Sequence, residues 1–174
     1  MPEPRLVGAL DALGPSSYAG EAYRHVAENH HPLSGAGARS QGGRWNPPQS
    51  FTTLYLALEP TTVQAEFARM AALQGLALSA FLPRRMYRYE VNLTAVVDLR
   101  APGARRALDL TDDQRSADDL QACQTVGEAA QYLGREGILA PSATGSGTVL
   151  AVFFDRLQPG SIVRAVDYTH WGGR

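Results

Sequence analysis

Alternation of apolar and polar residues marks the clearest strand of the sequence. Within Met86–Leu93 every second residue is aromatic or aliphatic and the residues between them are polar. This is the pattern of a strand with one buried face and one face in water. The apolar run Val96–Leu99 predicts a second strand directly after it, and Ala22–Val26 predicts a short strand near the N-terminus.

A buried strand followed by a helix is predicted in the middle of the chain. Thr53–Leu58 is an apolar run of strand length that ends at Glu59-Pro60. Thr61 and Gln64 have the spacing of a capping box, in which each side chain satisfies a free backbone N–H of the first helical turn. Apolar residues then recur at helical spacing as far as Gly75, and Glu66 lies beside that apolar stripe.

The C-terminal half repeats these signals. We interpret the charged stretch from residue 102 to 119 as surface helix and loop. Thr125 and Glu128 form a second capping-box pattern and predict a helix that runs to Gly134. Three further apolar segments read as short or buried strands: Gly137–Ser142, Thr148–Phe154 and Ser161–Tyr168. Because strands outnumber helices and cluster toward both ends, we predict an α+β fold built on a mainly antiparallel sheet with flanking helices.

Length and composition restrict the class of protein. The chain has 174 residues, a formal net charge of −1 and one cysteine, which fits a single domain over residues 1–174 that needs no disulfide. All 16 basic residues are arginine, so neither a lysine Schiff base nor a P-loop lysine can exist here. The balanced charge speaks against direct nucleic-acid binding. No apolar run is long enough to span a membrane and the start does not resemble a secretory signal, so we expect a cytoplasmic protein without a membrane partner.

Three familiar kinds of active site find little support in the sequence. Only two of the four histidines are adjacent, His30 and His31, and adjacent side chains point in different directions, so we expect no metal site. No Gly-x-Ser-x-Gly motif precedes a helix, which argues against a serine hydrolase. The glycine-rich stretch Ala143–Gly147 leads into a strand, whereas a dinucleotide-binding turn leads into a helix.

The remaining candidates are two arginines, a tyrosine, a glutamate and a serine within apolar sequence. Arg44 follows two glycines, which would let its backbone and its guanidinium approach an anion together. Arg24 lies in a predicted strand, Tyr55 interrupts an aliphatic strand, Glu66 borders a helical stripe and Ser142 ends an apolar segment. Each has an ordinary structural explanation, such as an exposed strand residue, a core aromatic or the start of a turn. The residues alone therefore indicate a pocket for an anionic ligand.

Several of these residues lie in blocks that resemble the RES domain, a family named after its Arg, Glu and Ser residues. The blocks are Gly-Gly-Arg-Trp-Asn-Pro-Pro at 42–48, Leu-Tyr-Leu-Ala at 54–57, Ala-Glu at 65–66 and Gly-Ile-Leu-Ala-Pro-Ser-Ala at 137–143. The likeness extends from about Tyr23 to about Phe154. The spacings of 20 residues from Arg24 to Arg44, 11 to Tyr55 and 11 to Glu66 are also similar to the family's active-site pattern. Gln49 departs from it, because a glycine is expected after the two prolines.

The resemblance implies a fold and an activity. RES domains are similar to ADP-ribosyltransferase toxins, which agrees with the predicted α+β class. They are the toxins of bacterial toxin–antitoxin pairs whose antitoxins resemble Xre-type regulators. The expected reaction is cleavage of the nicotinamide–ribose bond of NAD, with NAD as substrate, no cofactor and no metal. Water as acceptor would give ADP-ribose, and inorganic phosphate as co-substrate would give ADP-ribose-1″-phosphate.

The residue types suit this chemistry. Breaking the glycosidic C–N bond passes through a cation-like sugar, which a carboxylate stabilises, and we assign this role to Glu66. Arg24 and Arg44 would bind the phosphates of NAD, because arginine binds phosphate bidentately and keeps its charge. Tyr55 would place its ring against nicotinamide. Ser142 would hydrogen-bond ribose or phosphate, without acting as a nucleophile, because the sequence offers no evident base for it.

Other functions remain open at this stage. The same first step could transfer ADP-ribose to a specific protein, or the pocket could bind a nucleotide without catalysis. A plain interaction domain, whose partner covers the glycine-rich loop, is a further alternative. The resemblance also implies an antitoxin that occludes the pocket in a hetero-oligomeric complex, and any DNA binding would belong to that antitoxin.

Overall fold

Six strands form the framework of the molecule over residues 1–172, the part of the chain that the computed structural model describes. Their lengths follow the hydrophobic pattern, since the short central strands are buried on both faces and the long outer strands alternate between buried and exposed positions. The strands are β1 (Ser16–Ala27), β2 (Thr53–Ala57), β3 (Arg84–Asp98), β4 (Gly137–Pro141), β5 (Thr148–Phe153) and β6 (Ile162–Trp171).

Helices connect and cover these strands. The two longest helices, Pro60–Leu73 and Gln121–Tyr132, each bury one apolar stripe and contact strands of the sheet. Two short 3₁₀ helices also occur, at Leu78–Phe81 and Phe154–Arg156. Within residues 1–172 no helix is long and apolar enough to cross a membrane. The α-helices are α1 (Pro4–Leu13), α2 (Ala36–Gln41), α3 (Pro60–Leu73), α4 (Pro102–Ala107), α5 (Asp112–Ser116) and α6 (Gln121–Tyr132).

Five of the strands close into a barrel-like ring. The strand order is β1-β2-β5-β4-β3-β6, and β1 also pairs with β3, so that β6 is added outside the ring. The β3–β4 pairing is parallel, whereas the pairings β1–β2, β1–β3, β2–β5, β4–β5 and β3–β6 are antiparallel. The α+β class is therefore confirmed, but the sheet is mixed, because the chain passes from β3 to β4 through helices and returns in the same direction.

Side-chain alternation divides the core into two layers. Leu54, Leu56 and Leu139 belong to the cluster inside the ring. Their sequence neighbours Tyr55 and Ile138 belong to the cluster outside it, which α1 and α6 cover. Residues of β2 and β4 thus serve both layers, as expected of strands that are buried on both faces.

The predicted strands are confirmed in position, although β1 and β3 are longer than the patterns indicated. Met86–Leu93 and Val96–Asp98 belong to the single strand β3, and Leu99 follows its last residue. Both predicted capping boxes are wrong. The helix α3 begins at Pro60, so Thr61 is inside it, and Thr125 lies inside α6, where its hydroxyl donates to the Gln121 carbonyl. The charged stretch 102–119 is also more than surface, because Arg105 and Arg115 are buried there.

Candidate active site

Glu66 and Ser142 meet at the contact between α3 and the end of β4. Ser142 follows the last residue of the buried strand β4 and is itself fully buried. Its Oγ donates a hydrogen bond of 2.5 Å to Glu66 Oε1 and accepts one of 3.1 Å from the Thr144 backbone N–H. The structure thus brings into direct contact two residues that the sequence analysis assigned to one site.

The turn that follows Ser142 lies along one face of α3. Glu59, just before the helix, accepts hydrogen bonds from the Thr62 hydroxyl and from the Thr148 backbone N–H. Gly147 has a positive φ of 80°, and a Cβ atom there would come within 1.8 Å of the Thr62 hydroxyl oxygen. Glycine is required at this point because the turn approaches the helix so closely. One turn beyond Glu66, Arg69 donates to the Ala143 carbonyl at 3.0 Å.

The loop that carries Arg44 is fixed by a tight turn. The Gly43 N–H donates to the Asn46 carbonyl at 2.9 Å. Behind this turn, the Tyr55 hydroxyl donates to Asn46 Oδ1 at 2.7 Å and accepts from the Trp45 N–H at 2.8 Å. A Cβ atom on Gly43 would meet the Tyr55 ring at 2.6 Å. Burial raises the pKa of Tyr55 above its usual value. The phenol therefore stays neutral and can act as both donor and acceptor for this loop.

Gln49 occupies the position after the two prolines where the family pattern has a glycine. Its φ of 56° lies in the left-handed region, which glycine adopts most easily. The Gln49 N–H donates to the Arg39 carbonyl at 2.8 Å. The turn after the two prolines thus has the backbone shape that a glycine would favour, although glutamine occupies the position.

The Arg44 guanidinium is held through its Nη1, and the buried Cys123 thiol lies beside the guanidinium. Its Nη1 donates to the carbonyls of Arg115 and Ala117, at 2.7 Å and 3.0 Å. Its Nε and Nη2 have no oxygen partner among residues 1–172. These two nitrogens form the edge of the guanidinium that binds a carboxylate or a phosphate bidentately. Arg44 can therefore receive an anion without breaking the contacts that orient it.

Arg24 lies on the other side of the sheet. Tyr23 pairs with Ala57 across β1 and β2, so the Tyr55 side chain shares the face of Tyr23 and the Arg24 side chain points to the opposite face. There it donates to the carbonyls of Pro32 and Ser34, at 3.0 Å and 2.9 Å. Burial lowers the pKa of the Arg24 guanidinium, and the nearby Tyr89 opposes that shift.

The structure therefore joins some of the predicted residues and separates another. Glu66 and Ser142 are in direct contact. Arg44 lies in the loop that the Tyr55 hydroxyl holds through the Trp45 N–H. Arg24 holds the turn that precedes α2, the helix leading to the Arg44 loop. Sequence reasoning missed Arg69 and Arg115, whose side chains bind backbone carbonyls of the site. A single sequence gives no signal for them, since both resemble exposed arginines of charged helices.

Two other features lie outside this cluster. Within the described residues, no three His, Cys, Asp or Glu side chains are placed to hold a metal ion, and the absence of a metal from the mechanism stays a prediction. Two surface clefts lie elsewhere, one between α1, α4 and α6 and the other across β1, β3 and β6. Their linings contain none of the five predicted residues.

The fold and these contacts define an α+β protein with a barrel-like mixed sheet and a candidate anion-binding site of arginine, glutamate and serine. The chain belongs to the RES domain family, because the family model described as the RES domain matches residues 21–171. This confirms the resemblance seen in the sequence.

Known relatives extend the similarity over nearly the whole chain. The NAD(+) phosphorylase MbcT of Mycobacterium tuberculosis (strain H37Rv) is 37% identical over 168 residues, which cover 94% of this chain and 90% of the relative. The MbcT protein of Mycobacterium bovis is similar to the same extent. The crystal structure of the M. tuberculosis MbcT–MbcA toxin–antitoxin complex contains a chain with a TM-score of 0.86 and 34% identity, covering 97% of this chain and 93% of that one.

Proposed function

We propose that this protein is the toxin of a toxin–antitoxin pair and degrades NAD by cleaving its nicotinamide–ribose bond. The contact between Ser142 and Glu66 carries the proposal, because it fixes a carboxylate at a turn that Arg115 links to Arg44. The similarity to proteins named NAD(+) phosphorylase supports the choice of NAD. An ADP-ribosyltransferase-like fold, which the resemblance to RES domains implies, belongs to the same proposal.

Glu66 stabilises the sugar in the transition state. As the bond to nicotinamide breaks, positive charge develops on the ribose, and a carboxylate placed in advance lowers its energy. The hydrogen bond from Ser142 holds the Glu66 carboxylate in one orientation. Ser142 thus acts by orienting Glu66 and by contacting ribose or phosphate, and not as a nucleophile.

Arg44 binds the diphosphate of NAD through the edge formed by its Nε and Nη2. Its Nη1 stays on the two carbonyls that orient it, while Nε and Nη2 face the ligand. Tyr55 contributes by holding the Arg44 loop, and its ring beside Gly43 forms part of the wall toward nicotinamide. Arg24 supports binding through the turn at Pro32–Ser34, which leads to α2 and the Arg44 loop.

Inorganic phosphate is the acceptor that we favour. Phosphorolysis converts NAD and phosphate into nicotinamide and ADP-ribose-1″-phosphate, whereas hydrolysis gives nicotinamide and ADP-ribose. The name of the MbcT relatives, NAD(+) phosphorylase, supports the first of these reactions. No resident cofactor or metal takes part in either scheme.

Product analysis by mass spectrometry tests this function. The purified protein is incubated with NAD, with and without inorganic phosphate, and compared with the Glu66→Gln variant. We expect nicotinamide and a phosphate-dependent product that carries the added phosphate. ADP-ribose under both conditions would replace the phosphorylase with a hydrolase. Label from adenine-labelled NAD on macromolecules would indicate protein ADP-ribosylation, and binding without nicotinamide release would indicate an inert nucleotide-binding module.

We also infer an antitoxin partner, which would inhibit the enzyme by occluding the Arg44–Glu66 site in a hetero-oligomeric complex. The support is the similarity to a chain of the MbcT–MbcA toxin–antitoxin complex. An Xre-like antitoxin, action in the cytoplasm and a single RES domain over residues 1–174 belong to the same proposal. Co-expression with the protein encoded by the neighbouring gene, followed by the NAD assay, tests it, and full activity of the isolated complex would contradict it.

A further inference from the structure

Arg115 contacts both halves of the site. Its backbone carbonyl accepts the 2.7 Å hydrogen bond from Arg44 Nη1. Its own Nη1 donates to the carbonyls of Pro141 and Ser142, at 3.0 Å and 2.9 Å. One residue of α5 thus connects the arginine that we assign to the phosphates with the serine that touches Glu66.

The position of Arg115 is strongly fixed. The residue is 9% exposed, and a buried guanidinium is tolerated only when its N–H groups are satisfied. Its Nε donates to Asp112 Oδ1 at 3.4 Å. Thr111 and Gln114 form a complete capping box at the N-terminus of the short helix α5. This box stabilises the helical turn that carries Arg115.

Arg69 holds the same segment from the other side. Its Nη2 donates to the Ser116 carbonyl and to Asp118 Oδ1, both at 2.8 Å. Its Nη1 donates to Ala143, the residue after Ser142. The segment from residue 115 to 118 is therefore tied to the Arg44 loop, to α3 and to the turn after β4.

We propose that Arg115 is a positioning residue of the NAD site, which sets the distance between Arg44 and the Ser142–Glu66 pair. This inference rests on the proposed function. An active site gains rate when its groups are held in the reactive geometry before the substrate arrives. Arg115 acts through the residues that it holds: it orients Arg44 through its carbonyl and Ser142 through its guanidinium.

Arg105 provides a matched control for a purely structural role. It is buried like Arg115, and its Nε donates to the same oxygen, Asp112 Oδ1, at 3.1 Å. Its Nη1 also donates to two backbone carbonyls, those of Leu99 and Arg100, both at 2.7 Å. Neither carbonyl belongs to a predicted site residue. Loss of either arginine should lower stability, but only Arg115 should affect catalysis in the folded enzyme.

The test compares Arg115→Met with Arg105→Met at a temperature where both variants are folded, using nicotinamide release to obtain kcat and KM for NAD. We expect Arg115→Met to lower kcat/KM by about tenfold or more and Arg105→Met by less than about twofold. Arg115→Lys keeps the positive charge but lacks the planar guanidinium that can bind two carbonyls at once, so it should lose less activity than Arg115→Met but should not reach the wild-type level. If the methionine variants do not fold, Arg115→Lys and Arg105→Lys make the same comparison.

A double-mutant cycle with Ser142→Ala adds a readout that stability alone would not move. If Arg115 acts by orienting Ser142, Arg115→Met should cost kcat/KM less in the Ser142→Ala background than in the wild type. Equal losses in both backgrounds would overturn the route through Ser142. Equal losses from the two arginine variants, or unchanged kinetics of Arg115→Met, would overturn the whole proposal while leaving the NAD-cleaving function in place. A folded wild-type protein that releases no nicotinamide would overturn both.

Discussion

The Ser142 hydroxyl donates its proton to Glu66 at 2.5 Å. The Thr144 hydroxyl oxygen lies 2.7 Å from the same Ser142 Oγ. Since Ser142 has one hydroxyl proton and gives it to Glu66, Thr144 must be the donor in that second contact. Ser142 Oγ then also accepts from the Thr144 backbone N–H. Its one donor and two acceptor positions are filled by Glu66 and Thr144, which suits a residue that orients a carboxylate. A contact from Ser142 to ribose or phosphate would replace one of these hydrogen bonds.

Replacing Glu66 by glutamine tests the carboxylate role. The Glu66→Gln side chain keeps its size and can still accept from Ser142, but it cannot stabilise a developing positive charge. We expect kcat for nicotinamide release to fall by about 10²-fold or more, while the Kd for NAD changes little. The exposed Glu128 of α6 provides a control, since Glu128→Gln should leave kcat unchanged. A Glu66→Gln variant that is folded and fully active would remove Glu66 from this role.

Replacing Arg44 by alanine tests the phosphate role. Both NAD and ADP-ribose carry the diphosphate that Arg44 would bind through its Nε and Nη2, so Arg44→Ala should weaken binding of both ligands to a similar degree. Arg44→Lys should restore binding only in part, because lysine lacks the planar fork. Calorimetry with the two ligands measures both effects. Weaker binding of NAD alone would contradict a contact to the diphosphate.

The sequence predicts candidate site residues and the α+β class of the fold, and the roles of the site residues stay predictions. The glycines, apolar runs, family blocks and spacings around Arg24, Arg44, Tyr55, Glu66 and Ser142 are what single these residues out in the sequence. The contacts among these residues depend on segments that are distant in sequence and close in space. The sequence indicates such a close approach only where it requires a glycine, as at Gly147.

The errors in the predicted elements have physical causes. Both capping boxes were misassigned because a Thr followed three residues later by Gln or Glu is equally compatible with a helix interior. Pro60, which fits the first turn of a helix, was the better signal for the start of α3. The actual box, Thr111 with Gln114, lies in the stretch interpreted as surface. The parallel pairing of β3 with β4 was missed because alternation within a strand carries no information about the direction of its neighbour.

Removing the Tyr55 hydroxyl should loosen the Arg44 loop. Tyr55→Phe leaves the buried Asn46 side chain and the Trp45 N–H each without one hydrogen-bond partner. Such losses cost about 1–3 kcal/mol, so we expect a drop of that size in the free energy of unfolding, together with a higher KM for NAD. Urea unfolding measures the first effect and nicotinamide release the second. Tyr132→Phe at an exposed position should change neither, and an unaltered KM in Tyr55→Phe would separate the hydroxyl from substrate binding.

Stability should fall in mild acid because of His25. Burial lowers the pKa of His25 to about 3, with help from the Arg84 and Arg24 guanidinium groups. In the unfolded chain His25 has its ordinary pKa of 6.5. Below that pH the unfolded chain takes up a proton that the folded protein does not, so stability falls as the pH decreases. Between pH 6.5 and about pH 5 this one residue should cost about 2 kcal/mol. Urea unfolding at the two pH values measures the loss.

His25→Gln isolates that contribution. Glutamine can still accept the hydrogen bond from Arg84 Nε, which His25 Nδ1 accepts at 2.6 Å, but it does not titrate. The variant should be less stable near neutral pH, since it loses the ring contact with Phe67, and its stability should depend less on pH by about 2 kcal/mol over the same interval. The other three histidines are common to both proteins. An identical pH dependence would show that His25 is protonated as easily in the folded state as in the unfolded chain.

Two helical glycines should respond to alanine in opposite directions. Gly127 lies in α6 against the backbone of the Arg44 loop, and a Cβ atom there would come within 1.8 Å of the Trp45 carbonyl oxygen. Gly8 lies in α1 with open space around it. Gly8→Ala should raise the free energy of unfolding by up to about 1 kcal/mol, because alanine favours the helix. Gly127→Ala has the same gain in helix propensity, but the helix must move away from Trp45, which should cost about 1–3 kcal/mol.

The Gly127→Ala substitution should also affect substrate binding. Because the displaced backbone of Trp45 lies between Arg44 and Asn46, we expect a higher KM for NAD in Gly127→Ala and an unchanged KM in Gly8→Ala. Equal stabilisation by both substitutions would show that α6 can move away from this loop without loss.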